Sequence, residues 1–237
     1  MSSYPLRYLP SGHVLIDQED DCDKVVDALL ETNYSEEFCL AKDFDVGFVA
    51  RLMEAGFLVM SADLNYDEKE KAEPFFILLP KLHLVRSVLF FPELHIKKSI
   101  RHFLPEFELK VNTDFDLILE KCIKIHGDDW LTPLLVETIK EIRQCCLPVK
   151  PVSFAVYRDG ELKAGEIGVS TGRVYTSYSG YYEEKNSGTV QMILMAQWLD
   201  GIGFDFLDFG MPLDYKAHLG AKDISPGEFV ELFRAAR

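Results

Sequence analysis

The chain has 237 residues, enough for one large domain or two smaller ones, and its 48% hydrophobic content is ample for a core. A formal net charge of −14 argues against broad, nonspecific binding to nucleic acid or to an anionic membrane, but leaves room for a local basic patch. The five cysteines include no C-x-x-C pair and no signal-like leader is present; both favour free thiols in a reducing cytoplasm, while six scattered histidines disfavour zinc and no apolar run reaches membrane-spanning length.

In chain order, Val14 to Ile16 form a short apolar run before an acidic stretch over 17–23. Residues 23–31 have helical spacing, with Val25, Val26, Leu29 and Leu30 on one side. A second helix is predicted over 43–55, capped by Asp43 or Asp45 and stopped at Gly56, with Val46, Val49, Leu52 and Met53 on its buried face. Residues 57–62 and 75–79 read as strands, the charged run 67–71 as an exposed turn or loop, and 82–91 as an extended apolar segment. This first third reads as a small α/β unit.

Residues 94–102 form a short basic helix in an otherwise acidic chain, with Lys97, Lys98 and Arg101 within one turn of each other. Such a face is either solvated or a phosphate contact. Residues 107–111 alternate as a strand. Residues 114–126 are an amphipathic helix, and a further helix over 133–145 has Thr132 as N-cap and Pro133 at its first position. Trp130, in the loop between them, is either a core plug or a flat ring offered to a base or sugar.

The clearest β region is 151–182. It reads as a three-stranded antiparallel meander with an Asp159-Gly160 hairpin turn and a second turn at Ser170-Thr171-Gly172. A helix opens at 186–189, with Val190, Ile193, Leu194, Gln197 and Trp198 on one stripe and Gly201 and Gly203 ending it. The next strand, from Phe204 to Phe209, carries Asp208 near its end. A carboxylate there either aims into a cleft or bonds the loop that follows. Ser225 and Pro226 start the last helix as N-cap and first residue. Meander, helix and strand in this order predict a GNAT-like (acyl-CoA N-acyltransferase-like) domain. Residues 186–189 contain one glycine only, and Gly201-Ile202-Gly203 ends a helix rather than starting one. No phosphate cradle for a CoA cofactor is therefore expected.

Several stretches from about Ser87 onward resemble the leucyl/phenylalanyl-tRNA–protein transferase family, in order and in spacing. They are Leu94-His95-Ile96 with the basic helix, Asp129-Trp130-Leu131, Val156 through Leu162 with Gly165 and Gly168 behind, Ser187 to Thr189, and Asp208 through Leu219-Gly220-Ala221-Lys222-Asp223-Ile224. The resemblance implies an α+β protein with a small N-terminal α/β domain over 1–86 and a GNAT-like aminoacyltransferase domain over 87–237. It implies transfer of a leucine- or phenylalanine-like amino acid from charged tRNA to the N-terminus of an acceptor protein, which marks that protein for degradation. The co-substrate is aminoacyl-tRNA; no cofactor and no metal are implied, and the partners are the tRNA 3′ end and the acceptor N-terminus.

By the same resemblance, Lys97, Lys98 and Arg101 touch tRNA phosphates, Trp130 lies near the terminal nucleotide and Asp208 helps deprotonate the attacking amine. The family glutamine two residues later falls on Gly210, so a backbone N–H, Ser177, Tyr178 or Tyr181 has to substitute in positioning. Thr176 falls on a family glutamate. Glu166 falls on a strand position that is apolar in the family's substrate pocket, or is an exposed residue of the meander. Transfer needs a base for the amine and donors for the oxyanion, with Asp208, Ser177 and Tyr178 as candidates. The departures keep two alternatives open: a noncatalytic relative that binds protein N-termini, and a CoA-dependent N-acyltransferase.

Overall fold

A computed structural model describes residues 4–65 and 73–237. In chain order it has β1 (Arg7–Tyr8), β2 (Val14–Leu15), α1 (Cys22–Glu31), α2 (Val46–Glu54), β3 (Leu58–Asp63), β4 (Phe76–Lys81), β5 (Arg86–Phe90), α3 (Lys98–Arg101), β6 (Glu108–Val111), α4 (Phe115–His126) and α5 (Pro133–Gln144). There follow β7 (Val149–Arg158), β8 (Glu161–Thr171), β9 (Val174–Tyr182), α6 (Ser187–Gly201), β10 (Phe206–Asp208), α7 (Asp214–His218), β11 (Lys222–Ile224) and α8 (Pro226–Ala236). The chain divides into two compact units, residues 1–84 with 127–149 and residues 85–126 with 150–237. The turn expected over 67–71 lies outside the described residues.

In the first unit, Asp21 and Asp45 cap α1 and α2 by accepting from the backbone N–H groups of Lys24 and Phe48. The β3–β4 hairpin is extended by single bridges that tie the segment 38–41 to β2 and β4. α5 packs against α2, which is why residues 127–149 belong here although the expected boundary placed everything after residue 86 in one domain. Thr132 stands at the N-cap of α5 as expected, but its side chain makes no capping bond. It meets the Ser61 hydroxyl at 2.8 Å instead.

The second unit is built on a seven-stranded sheet in the order β11-β5-β10-β9-β8-β7-β6. The meander β7–β9 forms as read, and Asp159 and Gly160 take the positive φ values that a two-residue hairpin requires. β10 returns through α6 to lie parallel to β9 and antiparallel to β5. Meander, crossover helix and a lone parallel pair make the unit GNAT-like within an α+β protein. Three readings are corrected. The extended segment 82–91 narrows to β5, which enters the second unit's sheet because Leu89 packs into its core and Val88 pairs with both β10 and β11. β11 pairs with β5 where no strand was read. On α6, Gln197 and Trp198 are exposed while Gln191 and Met195 are buried, because core surrounds much of the helix rather than one stripe.

Residues paired across strands share a face, which sorts the sheet into two sides. Leu89, Leu207 and Tyr175 join the cluster that includes Val190 and Ile193 of α6. On the other side, Phe206 meets Phe229 of α8. A Cβ at Gly165 would lie 2.8 Å from Ile118 of α4, so α4 covers that side of β8. β8 and β9 slip register between Ile167 and Gly168, leaving Tyr178 as the extra residue of a β-bulge.

The turn before β11 depends on Gly220. Its φ is +99° and a Cβ there would lie 2.0 Å from the Glu93 carbonyl oxygen. Gly220→Ala is expected to cost about 2–4 kcal/mol through combined strain and overpacking. A denaturation midpoint lowered at constant m-value checks it.

Candidate active site

β10 ends at Asp208, whose backbone pairs with Val88 of β5 and Thr176 of β9. Its side chain shares the α8-facing side with Phe206 and Arg86. The carboxylate is fully buried, and so is Arg86. Arg86 Nε donates to Oδ1 at 2.8 Å and Nη2 to Oδ2 at 2.6 Å, a bidentate pair. The Arg86 guanidinium lies 4.1 Å from the centre of the Phe229 ring. Oδ1 also accepts from the Gly210 backbone N–H at 2.8 Å. Gly210 sits at φ +71°, and its carbonyl accepts from the Ser87 N–H at 2.7 Å. Of the substitutes expected for the missing glutamine, the one in contact with Asp208 is thus the backbone N–H of Gly210 itself.

Glu166 projects from β8 onto the opposite side of the sheet, toward α6. It is buried at 3% exposure rather than lying on an open meander face. Oε2 accepts from Gln191 Nε2 at 3.0 Å. Burial pushes its carboxyl up from the ordinary 4.5 to about 7, against the opposing pull of Ser177, Gln191, Tyr175 and the Lys216 charge. Lys216 of α7 is buried and donates to the carbonyls of Phe209 at 2.7 Å and Met211 at 2.8 Å. Burial lowers its pKa to about 8, partly offset by Asp208 and Glu166. Lys216 therefore ties α7 to the turn that follows β10.

The expected site residues separate accordingly. Ser177 shares the face of Glu166. Thr176 and Asp208 share the other face, and Tyr181 lies on that same side against α4, with Lys121 over its ring. Tyr178 occupies the bulge and is half-buried. Lys97, Lys98 and Arg101 are exposed around a helix of only four residues, shorter than expected. Trp130 is half-buried in the first unit, where its carbonyl accepts from the Ser61 N–H at 2.9 Å. Sequence reasoning missed Arg86, Gln191, Tyr175 and Lys216. Arg86 did carry a signal, a single cation inside an apolar strand, which is rarely buried without a partner. Among the described residues, no group of three or more His, Cys, Asp or Glu could hold a metal, and no helix is long and apolar enough to cross a membrane.

A meander followed by a crossover helix and a strand parallel to the meander's last strand defines a domain of the GNAT-like fold class. The family model for leucyl/phenylalanyl-tRNA protein transferase matches residues 88–234. The chain belongs to that family, as the ordered motifs from Ser87 onward implied. It is 29% identical over 151 residues to the leucyl/phenylalanyl-tRNA–protein transferase of Pseudomonas entomophila, covering 62% of this chain and 66% of that one. It is 26% identical over 158 residues to the one from Maridesulfovibrio salexigens, covering 64% and 65%. The matches thus span slightly less than two-thirds of these relatives. Among solved structures, the C-terminal domain of a putative lysylphosphatidylglycerol synthetase from Agrobacterium fabrum is similar with TM-score 0.47 and 11% identity, over 93% of this chain and 81% of that one.

Two outcomes are expected from the buried charges. Arg86→Met leaves the Asp208 carboxylate buried without a counter-charge and is expected to cost about 3–5 kcal/mol, much of it recovered by adding Asp208→Leu; urea denaturation of both variants checks this. Glu166 is held protonated by the fold at pH values where the unfolded chain ionises. Its contribution is complete below pH 4.5 and is lost as pH rises through about 7. Stability is expected to fall by about 3 kcal/mol across that window, at about 1.4 kcal/mol per pH unit. Glu166→Gln should flatten this slope in denaturation curves taken between pH 4.5 and 7.

Proposed function

We propose that the chain is an aminoacyl-tRNA–protein transferase: it moves an amino acid from a charged tRNA to the α-amino group of an acceptor protein, marking it for degradation. The observation that carries this reading is the family match across residues 88–234, which takes in both partners of the parallel strand pair and Asp208. In the reaction, the acceptor nitrogen attacks the ester carbonyl carbon. A C–N bond forms, the C–O bond to the terminal ribose breaks, and the proton lost by nitrogen ends on the released ribose hydroxyl. The co-substrate is aminoacyl-tRNA, and the setting is the cytoplasm, in keeping with five free cysteines.

Asp208 is assigned a positioning role in this reading. Both of its oxygens are engaged by Arg86 and Gly210, which leaves it poorly placed to take a proton. Its effect is to hold the turn at 208–210, with Lys216 fastening the next residues. Thr176 backs this strand end, Ser177 and Tyr178 line the bulge on the neighbouring strand, and Tyr181 supports β9 from the α4 side. Lys97, Lys98 and Arg101 are assigned to tRNA phosphates and Trp130 to the 3′-terminal nucleotide. A net charge of −14 suits an acceptor whose first residue is basic. The engagement of Asp208 also favours, as the second reading, a relative that binds protein N-termini without turnover.

The deciding assay incubates the protein with tRNA charged with labelled leucine, phenylalanine or another amino acid and a peptide with N-terminal arginine. Labelled peptide is the expected product. Peptide binding with no transfer from any charged tRNA leaves the second reading. Replacing Lys97, Lys98 and Arg101 together by Ala should raise KM for charged tRNA at least about tenfold. It should also reduce the log–log salt slope of binding by about 2–3, since each neutralised phosphate contributes just under one.

A further inference from the structure

The second unit buries two carboxylates, and the fold satisfies only one of them. Asp208 has a guanidinium and a backbone N–H. Glu166 has Gln191 on Oε2, while Oε1 has no hydrogen-bond partner among the described residues. The Tyr175 hydroxyl, fully buried beside it, has none either. Ser177 and Tyr175 are near enough to influence the Glu166 proton, and Glu166 in turn raises the Tyr175 pKa. Buried polar groups are rarely left in this state without a function or a bound partner.

The neighbouring cations do not supply the missing charge. Lys216 feels the Glu166 charge but makes no ion pair with it, and its ammonium is committed to the Phe209 and Met211 carbonyls. Arg86 lies on the other face with Asp208. Gly168 helps keep the arrangement in place: a Cβ there would stand 2.5 Å from the Tyr175 hydroxyl. The adjacent bulge at Tyr178 is the kind of irregularity that re-aims strand side chains at a site.

We propose that Glu166 Oε1, with the Tyr175 oxygen beside it, is the acceptor for a primary ammonium group of a substrate. Ionising a carboxyl buried without a counter-charge is costly, and a ligand that is both N–H donor and cation offsets that cost while supplying the missing hydrogen bond. A primary ammonium has three N–H groups and is small enough to serve both oxygens at once. A neutral hydroxyl satisfies the hydrogen bond but not the charge. The inference rests on the transfer reading for its substrates, since the aminoacyl ester and the acceptor each bring an α-ammonium group.

Binding to the full chain, without turnover, separates this inference from the transfer reading. The aminoacyl arm compares phenylalanine methyl ester with methyl 3-phenylpropanoate, which lacks only the amine. The acceptor arm compares an arginine-initiated tripeptide with its Nα-acetylated form. Titration calorimetry should give a preference of at least tenfold in Kd for the ammonium-bearing member in one arm or both. Glu166→Leu should abolish that preference, and Glu166→Gln, which keeps an acceptor and the side-chain shape, should reduce it at least threefold while folding normally. The arm that discriminates identifies the source of the ammonium. Equal Kd values within both pairs, absence of binding in both arms, or a preference that survives in Glu166→Gln unchanged overturns the proposal and leaves ordered water as the partner of Oε1. A chain inactive in transfer can still pass this test, and an active one can fail it.

Discussion

The buried ion pair between Arg86 and Asp208 is the interaction on which the end of β10 depends. Taking a carboxylate and a guanidinium out of water costs several kcal/mol per ion, so the pair persists because its bidentate geometry is good, although Arg86 Nη1 has no hydrogen-bond partner among the described residues. Nε and Nη2 meet the two oxygens, Gly210 adds a third donor, and Phe229 faces the guanidinium plane. One side chain from β5 thereby fixes the last residue of β10, the turn after it and the inner face of α8. The alternative, a purely apolar strand end, would pack as well but would not hold the Gly210 N–H and so would leave the direction of the turn open.

That commitment determines how charge is shared across the sheet. A proton acceptor needs a free lone pair within reach of the proton. Among the described residues, Asp208 accepts three hydrogen bonds, whereas Glu166 accepts one, from Gln191. The two carboxylates face opposite sides of the same sheet, so neither can stand in for the other. Asp208 is paired with a cation, whereas burial of Glu166 beside an amide pushes its carboxyl up to about 7. Lys216 lies near the strand end that separates them and interacts electrostatically with each, while its hydrogen bonds go to the backbone.

Much of this fold was legible because its signals are local. The Asp159-Gly160 turn, the alternation on either side of it and the Ser225-Pro226 helix start each act through the backbone of a few residues, and each formed as read. Motif order sufficed to identify the family without any one motif being decisive. What stayed hidden depends on pairing between distant residues. Arg86 and Asp208 are separated by 122 positions, and Glu166 and Gln191 by 25. No periodicity encodes which face a carboxylate will take. Lys222 to Ile224 carries too little pattern to announce a strand; it becomes one because β5 offers it an edge. The stripe on α6 misled because it assumed one buried face, whereas the helix buries residues around much of its circumference.

The electrostatic balance of the chain follows from the same economy of partners. Most exposed acids contribute to a diffuse negative field that salt screens beyond about 8 Å at physiological ionic strength. Lys97, Lys98 and Arg101 stand exposed within five positions, so at shorter range their potential exceeds the background. A long polyanion is therefore repelled by the net charge, and an exposed basic cluster lowers that repulsion locally. A small ammonium group experiences the reverse: the broad negative field attracts it. If both proposed roles hold, phosphate and ammonium are sorted by range, the first by an exposed basic cluster and the second by a desolvated carboxyl.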